Sequence, residues 1–481
     1  PSALRANVNS VISFPVVYAH TPSPTVELVP PAVIIDTTGT VDQSEIYVNV
    51  VNGSSLTPTI ELGVNTPTLQ AGLIGDGQLR ISVAPATSHD EINNMALGTD
   101  PSVWVTIDNT GPGISLATPY PHGQPGEPAV TTRDYGPVID VPVFYSADAA
   151  GMVNLNTPNI HVEKHAGIGN LGSAWWQVVD GTSLAPLVQL SQCDGDGTIF
   201  IWVEPGTSTD DLGNLDLGST ASELITVINT APSVSIRLPQ GTPTNQYGTV
   251  TYQLDYRNAT HVELTTDYIQ LYRLSGDLDM GAIDVQITSG ANPLTTQFVN
   301  LTNFVGDGTF RLSVDAFSSW NDGGFYDSGA ESYFPVTVDN TPPTMTIAAP
   351  STPTTINGPV SFDVTFFGAS FVTVTPSDVL VLDSEDNPLN ETQYTLEVLG
   401  TGLYARTIVI SNINGEGIGS VRPRILAGVA LDAVGNASIE TTAGQPCLID
   451  NDGPIVQSIT PATLGPTGDN TVEFTVVFNE N

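Results

Sequence analysis

Two short motifs recur along this chain in fixed phase, and that register limits what it can fold into more than any other feature. The first reads Val105-Thr-Ile-Asp-Asn-Thr-Gly-Pro112, Ile225-Thr-Val-Ile-Asn-Thr-Ala-Pro232, Val336-Thr-Val-Asp-Asn-Thr-Pro-Pro343 and Cys447-Leu-Ile-Asp-Asn-Asp-Gly-Pro454. Its closing prolines fall 120, 111 and 111 residues apart. The second reads Gly75-Asp-Gly77, Gly195-Asp-Gly197, Gly306-Asp-Gly308 and Gly415-Glu-Gly417. From its acidic residue to the Asp column of the first motif the gap is 32, 32, 32 and 34 residues. A repeat of this length marks a string of similar modules rather than one large core.

Between the motifs the hydrophobic pattern has period two, as half-buried strands require. Val250, Tyr252, Leu254 and Tyr256 alternate with polar residues, as do Phe362, Val364 and Phe366. The 45 glycines and 37 prolines among 481 residues punctuate many short strands and leave no convincing amphipathic helix. Each repeat is therefore expected to hold about seven strands in a two-sheet sandwich.

The Val-Thr-Val-Asp-Asn-Thr-Pro-Pro motif, the upstream Gly-Asp-Gly-Thr turn and the stretch Leu431-Asp-Ala-Val-Gly-Asn436 resemble the tandem bacterial immunoglobulin-like repeats of large surface proteins and adhesins. The resemblance implies an all-β chain of tandem immunoglobulin-like β-sandwiches arranged end to end. It is clearest from Ser233 onward. The expected division is 1–22 as the end of a preceding repeat, then repeats at 23–109, 110–229, 230–340 and 341–451, and the start of another at 452–481. The first boundary rests on Phe14-Pro-Val-Val-Tyr-Ala-His-Thr-Pro22, a weaker likeness of Phe334 to Pro342. The chain reads as an interior segment of a longer extracellular, cell-surface protein. The expected role is a non-enzymatic stalk, with an S-layer, sheath or filament subunit as the alternative.

Charge narrows the partners. Lys and Arg total 11 against 50 Asp and Glu, a net charge of −39. Phosphate binding needs clustered cations, so nucleic acid is excluded as a partner, and an anionic membrane surface would repel the chain. No apolar run approaches the ~20 residues of a membrane span. Other copies of the chain, or neighbouring surface proteins and glycans, are the expected partners.

The acidic turns invite a metal reading. With alternating strand directions, the Gly-acid-Gly turn and the end of the last strand share a pole. Asp76 should then lie near Asp108 and Asn109, Asp307 near Asp339 and Asn340, and Glu416 near Asp450, Asn451 and Asp452. A following repeat would bring Asp210 and Asp211, Asp322 or Asp432 to the same junction. Ca2+ takes six to eight such oxygens and is the one expected cofactor, holding neighbouring repeats together. Ile228 removes one ligand at the second junction, where Asp194 could substitute. The competing reading is that Asp and Asn simply bond their own turns.

Other features point to architecture. Cys193 and Cys447 fall in columns otherwise filled by Leu, Phe, Val and Ile, and so read as buried free thiols. His161 and His165 are four apart, but in a strand that spacing is ~13 Å, too far to share a metal. Trp175 and Trp176 adjoin a glycine-rich loop and are contact candidates, whereas Trp202 alternates within a strand. The five Asn-x-Ser/Thr sequons match chance for this composition. No nucleophile elbow or phosphate loop is present.

Overall fold

The computed structural model describes all residues except 20–24, 64–71, 135, 168–170, 416, 452, 463–464, 467, 469 and 480–481. Among the described residues every regular element is a strand or a single 3-10 turn. Contacts divide the chain into two compact units, residues 1–231 with 320–325, and residues 232–319 with 326–481.

The first unit holds two sandwiches. In the second of them, one sheet runs A-B-E-D: Ile114–Leu116, Ile139–Tyr145, Leu187–Ser191 and Trp175–Val179. The facing sheet runs A′-G-F-C: Val130–Thr131, Ile225–Val227, Gly197–Val203 and Ile160–Ala166. A′ lies parallel to G, and the other neighbours in these sheets are antiparallel. This is the strand order of an immunoglobulin-like sandwich. Alternation produces the core: Ile139, Val141, Val143 and Tyr145 point inward from B to meet Ile199, Ile201 and Val203 from F.

The first sandwich repeats the A′-G-F-C sheet with Arg5–Ala6, Val105–Ile107, Gly77–Val83 and Val33–Thr37. Its other sheet is B-E-D only: Val11–Pro15, Thr59–Gly63 and Val48–Val51. This corrects the expected boundary at residue 22. Ile12 and Phe14 are buried opposite Leu62 and Ile60, so residues 5–15 supply A′ and B of the first sandwich rather than the end of another. The likeness of 14–22 to 334–342 is coincidental, because Phe14 sits in B and Val336 in G.

The second unit holds two more sandwiches with complete A-B-E-D sheets. The third uses Ser233–Ile236, Val250–Arg257, Thr296–Thr302 and Asp284–Ser289. The fourth uses Thr344–Ile347, Val360–Phe367, Ala405–Ser411 and Thr395–Leu399. Beyond them Val456–Pro461 and Phe474–Phe478 form a hairpin with every residue exposed.

One buried network varies instructively. The Tyr256 hydroxyl meets Ser318 Oγ at 3.1 Å, and Ser318 Oγ donates to the buried Asp327 carboxylate. Tyr145, Thr207 and Asp216 repeat this in the second sandwich. In the fourth, Phe366, Val429 and Ser438 occupy the three places. Hydroxyl and partner have left together, as expected when an unpaired buried polar group costs about 1–3 kcal/mol.

Candidate functional site

The acidic turns join E to F, and two glycines make each possible. Gly77 has φ +153, and a Cβ there would lie 2.0 Å from Thr38 O. The backbone thereby aims the Asp76 carboxylate at the linker leaving strand G. Asp76 Oδ1 accepts the Asn109 N–H at 2.6 Å, and Oδ2 accepts the Thr110 hydroxyl at 2.7 Å. Asn109 then uses its whole side chain. Nδ2 donates to Leu73 O and Gly75 O at 2.7 and 2.6 Å, and Oδ1 accepts Val8 N–H at 2.5 Å.

Asp196, Asn229 and Thr230 repeat the arrangement, as do Asp307, Asn340 and Thr341. Burial alone would push Asp196 up, but hydrogen bonds from the Thr230 hydroxyl and the Asn229 and Thr230 N–H groups hold its carboxyl below the usual range. The place of each expected metal ligand can now be stated. Asp76 is brought to Asn109 and Asp307 to Asn340, but their carboxylates are bonded to the linker. Asp108 and Asp211 meet across Arg5, which bonds them at 3.1 and 2.6 Å. Asp339 Oδ1 accepts Thr341 N–H, and Asp432 is engaged within its own turn. Asp450 N–H bonds Thr355 O, and Asn451 is exposed. Asp194 accepts from Ser173 and pairs with Arg133. Glu416 and Asp452 lie outside the described residues. Among the described residues, no three His, Cys, Asp or Glu side chains form a metal-holding group.

What gathers at the junctions is amide groups. In the first unit Asn214, at the end of an F–G turn, donates Nδ2 to Asp108 O at 2.8 Å. Asn7, from the turn after A′ of the first sandwich, donates back to Leu212 O at 2.8 Å. In the second unit Asn436 donates to Asp339 O at 2.6 Å, and Asn245 returns the contact to Val434 O at 2.9 Å. Each of these two junctions is thus a reciprocal clasp between one sandwich's linker pole and the next one's F–G turn.

The turn itself is a fixed device. Asp210 Oδ1 accepts the N–H groups of Leu212 and Asn214, both at 2.9 Å, while Oδ2 accepts Asn214 Nδ2. Asp432 does the same for Val434 and Asn436. Burial opposes ionisation of Asp210, but the hydrogen bonds from Asn214 prevail and its carboxyl is held low. Sequence reasoning took these acids as ligands and missed the asparagines. The signal was the Asp-x-x-Gly-Asn spacing common to 210–214 and 432–436.

Of the remaining features, both cysteines are free and buried. His161 lies in a strand, stacked on Trp202 at 4.1 Å, and His165 bonds Thr198. Trp175 is exposed, and Trp176 and Trp202 are half-buried.

Strand order and junctions together define a chain of tandem immunoglobulin-like β-sandwiches. No family model matches it, and no curated protein matches it. Solved structures with similar folds include FdeC, an Escherichia coli adhesin, at 14% identity and TM-score 0.29, covering 72% of this chain and 98% of that one. Invasin, a bacterial integrin-binding protein, is 10% identical at TM-score 0.29, covering 94% and 82%. Domains 4–9 of surface layer protein SbsC are 11% identical at TM-score 0.19, covering 100% and 70%. Likeness at this level adds nothing to the strand order itself.

Proposed function

We propose that this chain is a non-enzymatic structural segment of an extracellular surface protein, a stalk that spaces or projects what it carries. The reciprocal asparagine clasp, present in both units, carries this reading. Built-in hydrogen bonds between consecutive modules suit a part whose work is to hold distance and direction. Recurrence supports it as well, because the acidic turn and its Asn-Thr partner serve in three sandwiches, where a catalytic centre would be unique. The acidic surface, at −39, favours a soluble exterior over contact with polyanions. Neighbouring surface proteins and glycans are the partners such a stalk would meet.

Negative-stain imaging of the purified chain tests the proposal. Separate thin particles of constant length support a stalk. Compact particles with no preferred length would remove it. Regular arrays or fibres would favour the second reading, a lattice or filament subunit.

A further inference from the structure

We propose that the outer face of the A-B-E-D sheet in the second sandwich binds a neutral glycan, with Trp175 as the stacking platform and Gln177, Gln189 and His122 bonding the sugar hydroxyls. This rests on the extracellular stalk reading and gives that stalk a partner class and a place to hold it.

Strand pairing fixes which side chains share that face. Val188 and Leu190 of E are buried in the core, so Gln189 between them points outward. Register sets Gln177 of D and Asp140 of B on either side of Gln189, and Trp175 of D opposite Ser191. Trp176 packs against the core, so of the adjacent tryptophans only Trp175 lies on the outer face. Strand A, interrupted after Leu116, resumes as Tyr120–Pro121 beside Asp140 and Ile139. That return brings His122 to the same row.

The row is arranged in advance. Gln177 Nε2 donates to Gln189 Oε1 at 2.8 Å, and Gln189 Nε2 donates to Asp140 Oδ1 at 3.1 Å. His122 Nδ1 lies 2.8 Å from Asp140 Oδ2 and 3.3 Å from Gln189 Nε2. Asp140 is 3% exposed, so it acts as a buried anchor that orients its neighbours rather than touching a ligand. Side chains already held this way lose little freedom on binding. Facing a carboxylate, His122 Nδ1 carries the hydrogen, which makes Nε2 an acceptor in the neutral ring. That Nε2 and Gln177 Oε1 take no part in these bonds, and the His122 side chain is 61% exposed. Across four strands the row spans ~14 Å, with Trp175 ~7 Å from Gln177 along D. Trp175 is 45% exposed.

The chemistry of the face selects its occupant. A sugar ring offers a C–H face and a rim of hydroxyls, each both donor and acceptor. An indole takes the first, and amides with an imidazole take the second. An apolar protein patch laid here would leave those amides and the imidazole unpaired, at about 1–3 kcal/mol each. Charge then chooses among glycans: a carboxylate beneath the row, in a chain at −39, disfavours sialylated, sulfated or uronic sugars. The face is also singular. Strands D of the first, third and fourth sandwiches, Val48–Val51, Asp284–Ser289 and Thr395–Leu399, hold no aromatic residue. The acidic turns recur because they are architecture, whereas this combination occurs in one sandwich, as a binding site does.

The whole chain, applied to a panel of neutral oligosaccharides of glucose, galactose, mannose and N-acetylglucosamine with sialylated and sulfated counterparts, tests this. Hits are then titrated by calorimetry. The expected result is a neutral oligosaccharide bound with Kd below about 1 mM and weakened at least about tenfold by Trp175→Ala or Gln177→Ala. Trp175→Tyr should keep most of the affinity, and Trp202→Phe, in the other sheet, all of it. Trp175 is exposed, so its variants should melt with the parent chain. No neutral sugar bound at about 1 mM overturns the proposal, as does binding of anionic sugars alone or binding indifferent to Trp175→Ala. Imaging decides the stalk separately, whichever way the panel reads.

Discussion

Asn436 Nδ2 donates to Asp339 O at 2.6 Å while also meeting Asp432 Oδ2 at 2.8 Å, so one amide joins a turn to itself and to the linker of the preceding sandwich. Asn214 does the same with Asp108 and Asp210. Asn214→Ala or Asn436→Ala should each cost about 1 kcal/mol, because each abandons two part-buried acceptors. Hydrogen exchange should rise selectively in the affected F–G turn and linker. Uniform exchange across the sandwich would show that the clasp does not govern the junction.

Asp76→Ala should destabilise the first sandwich by about 1–3 kcal/mol through loss of two bonds to the linker, and Asp307→Ala the third likewise. Since those carboxylate oxygens already have donors, a chelator should leave the melting temperature unchanged. A fall on chelation, restored by Ca2+, would place the ion at the junctions.

Stability should be bounded by pH on both sides. Asp196 and Asp210 are held below the ordinary carboxylate range, so their contribution is present above about pH 4 and is lost as pH falls through their folded values. Burial pushes Tyr252 and Tyr256 up to about 12, so their contribution is present below about pH 10 and is lost as pH rises toward 12. Asp210→Asn should flatten the acid limb of a stability–pH curve, and Tyr256→Phe the alkaline limb.

The buried tyrosine network predicts non-additivity. Tyr256→Phe alone should cost about 1 kcal/mol by leaving Ser318 short of a partner. Adding Ser318→Val and Asp327→Ser, the solution found in the fourth sandwich, should recover part of that loss. Chemical denaturation of the single and triple variants measures it, and strict additivity would refute the coupling.

Burial pushes the Cys193 thiol up to about 11, and Cys447 is raised for the same reason. Neither should react with a thiol reagent in the native protein, and both should react in denaturant. Rapid native labelling of either would show an opening of that core.

Much of this was legible in the sequence because strand patterning and turn chemistry are local. The period-two runs at 250–256 and 362–366 are strands, as their alternation requires, and the constant gap from Asp76 to Asp108 reported a real contact between the E–F turn and the linker. Two things were not legible. Residues 11–15 alternate like any strand, and only their pairing with Thr59–Gly63 shows which sandwich owns them. The clasp escaped because its acceptors are main-chain carbonyls of Asp108 and Asp339, which no side-chain pattern records. An acidic cluster suggested a cation, and in this structure backbone N–H groups and hydroxyls serve the Asp76 and Asp307 carboxylates.

The clasps set Asn7, Asn214, Asn245 and Asn436 against carbonyl oxygens, with no ionised group required at those four contacts. Debye screening acts on charges and leaves amide-to-carbonyl bonds nearly untouched. Moving from dilute buffer to brine should therefore soften the mutual repulsion of a chain at −39 and screen the exposed Arg5–Asp211 pair at the first junction, while leaving the four amide contacts in place.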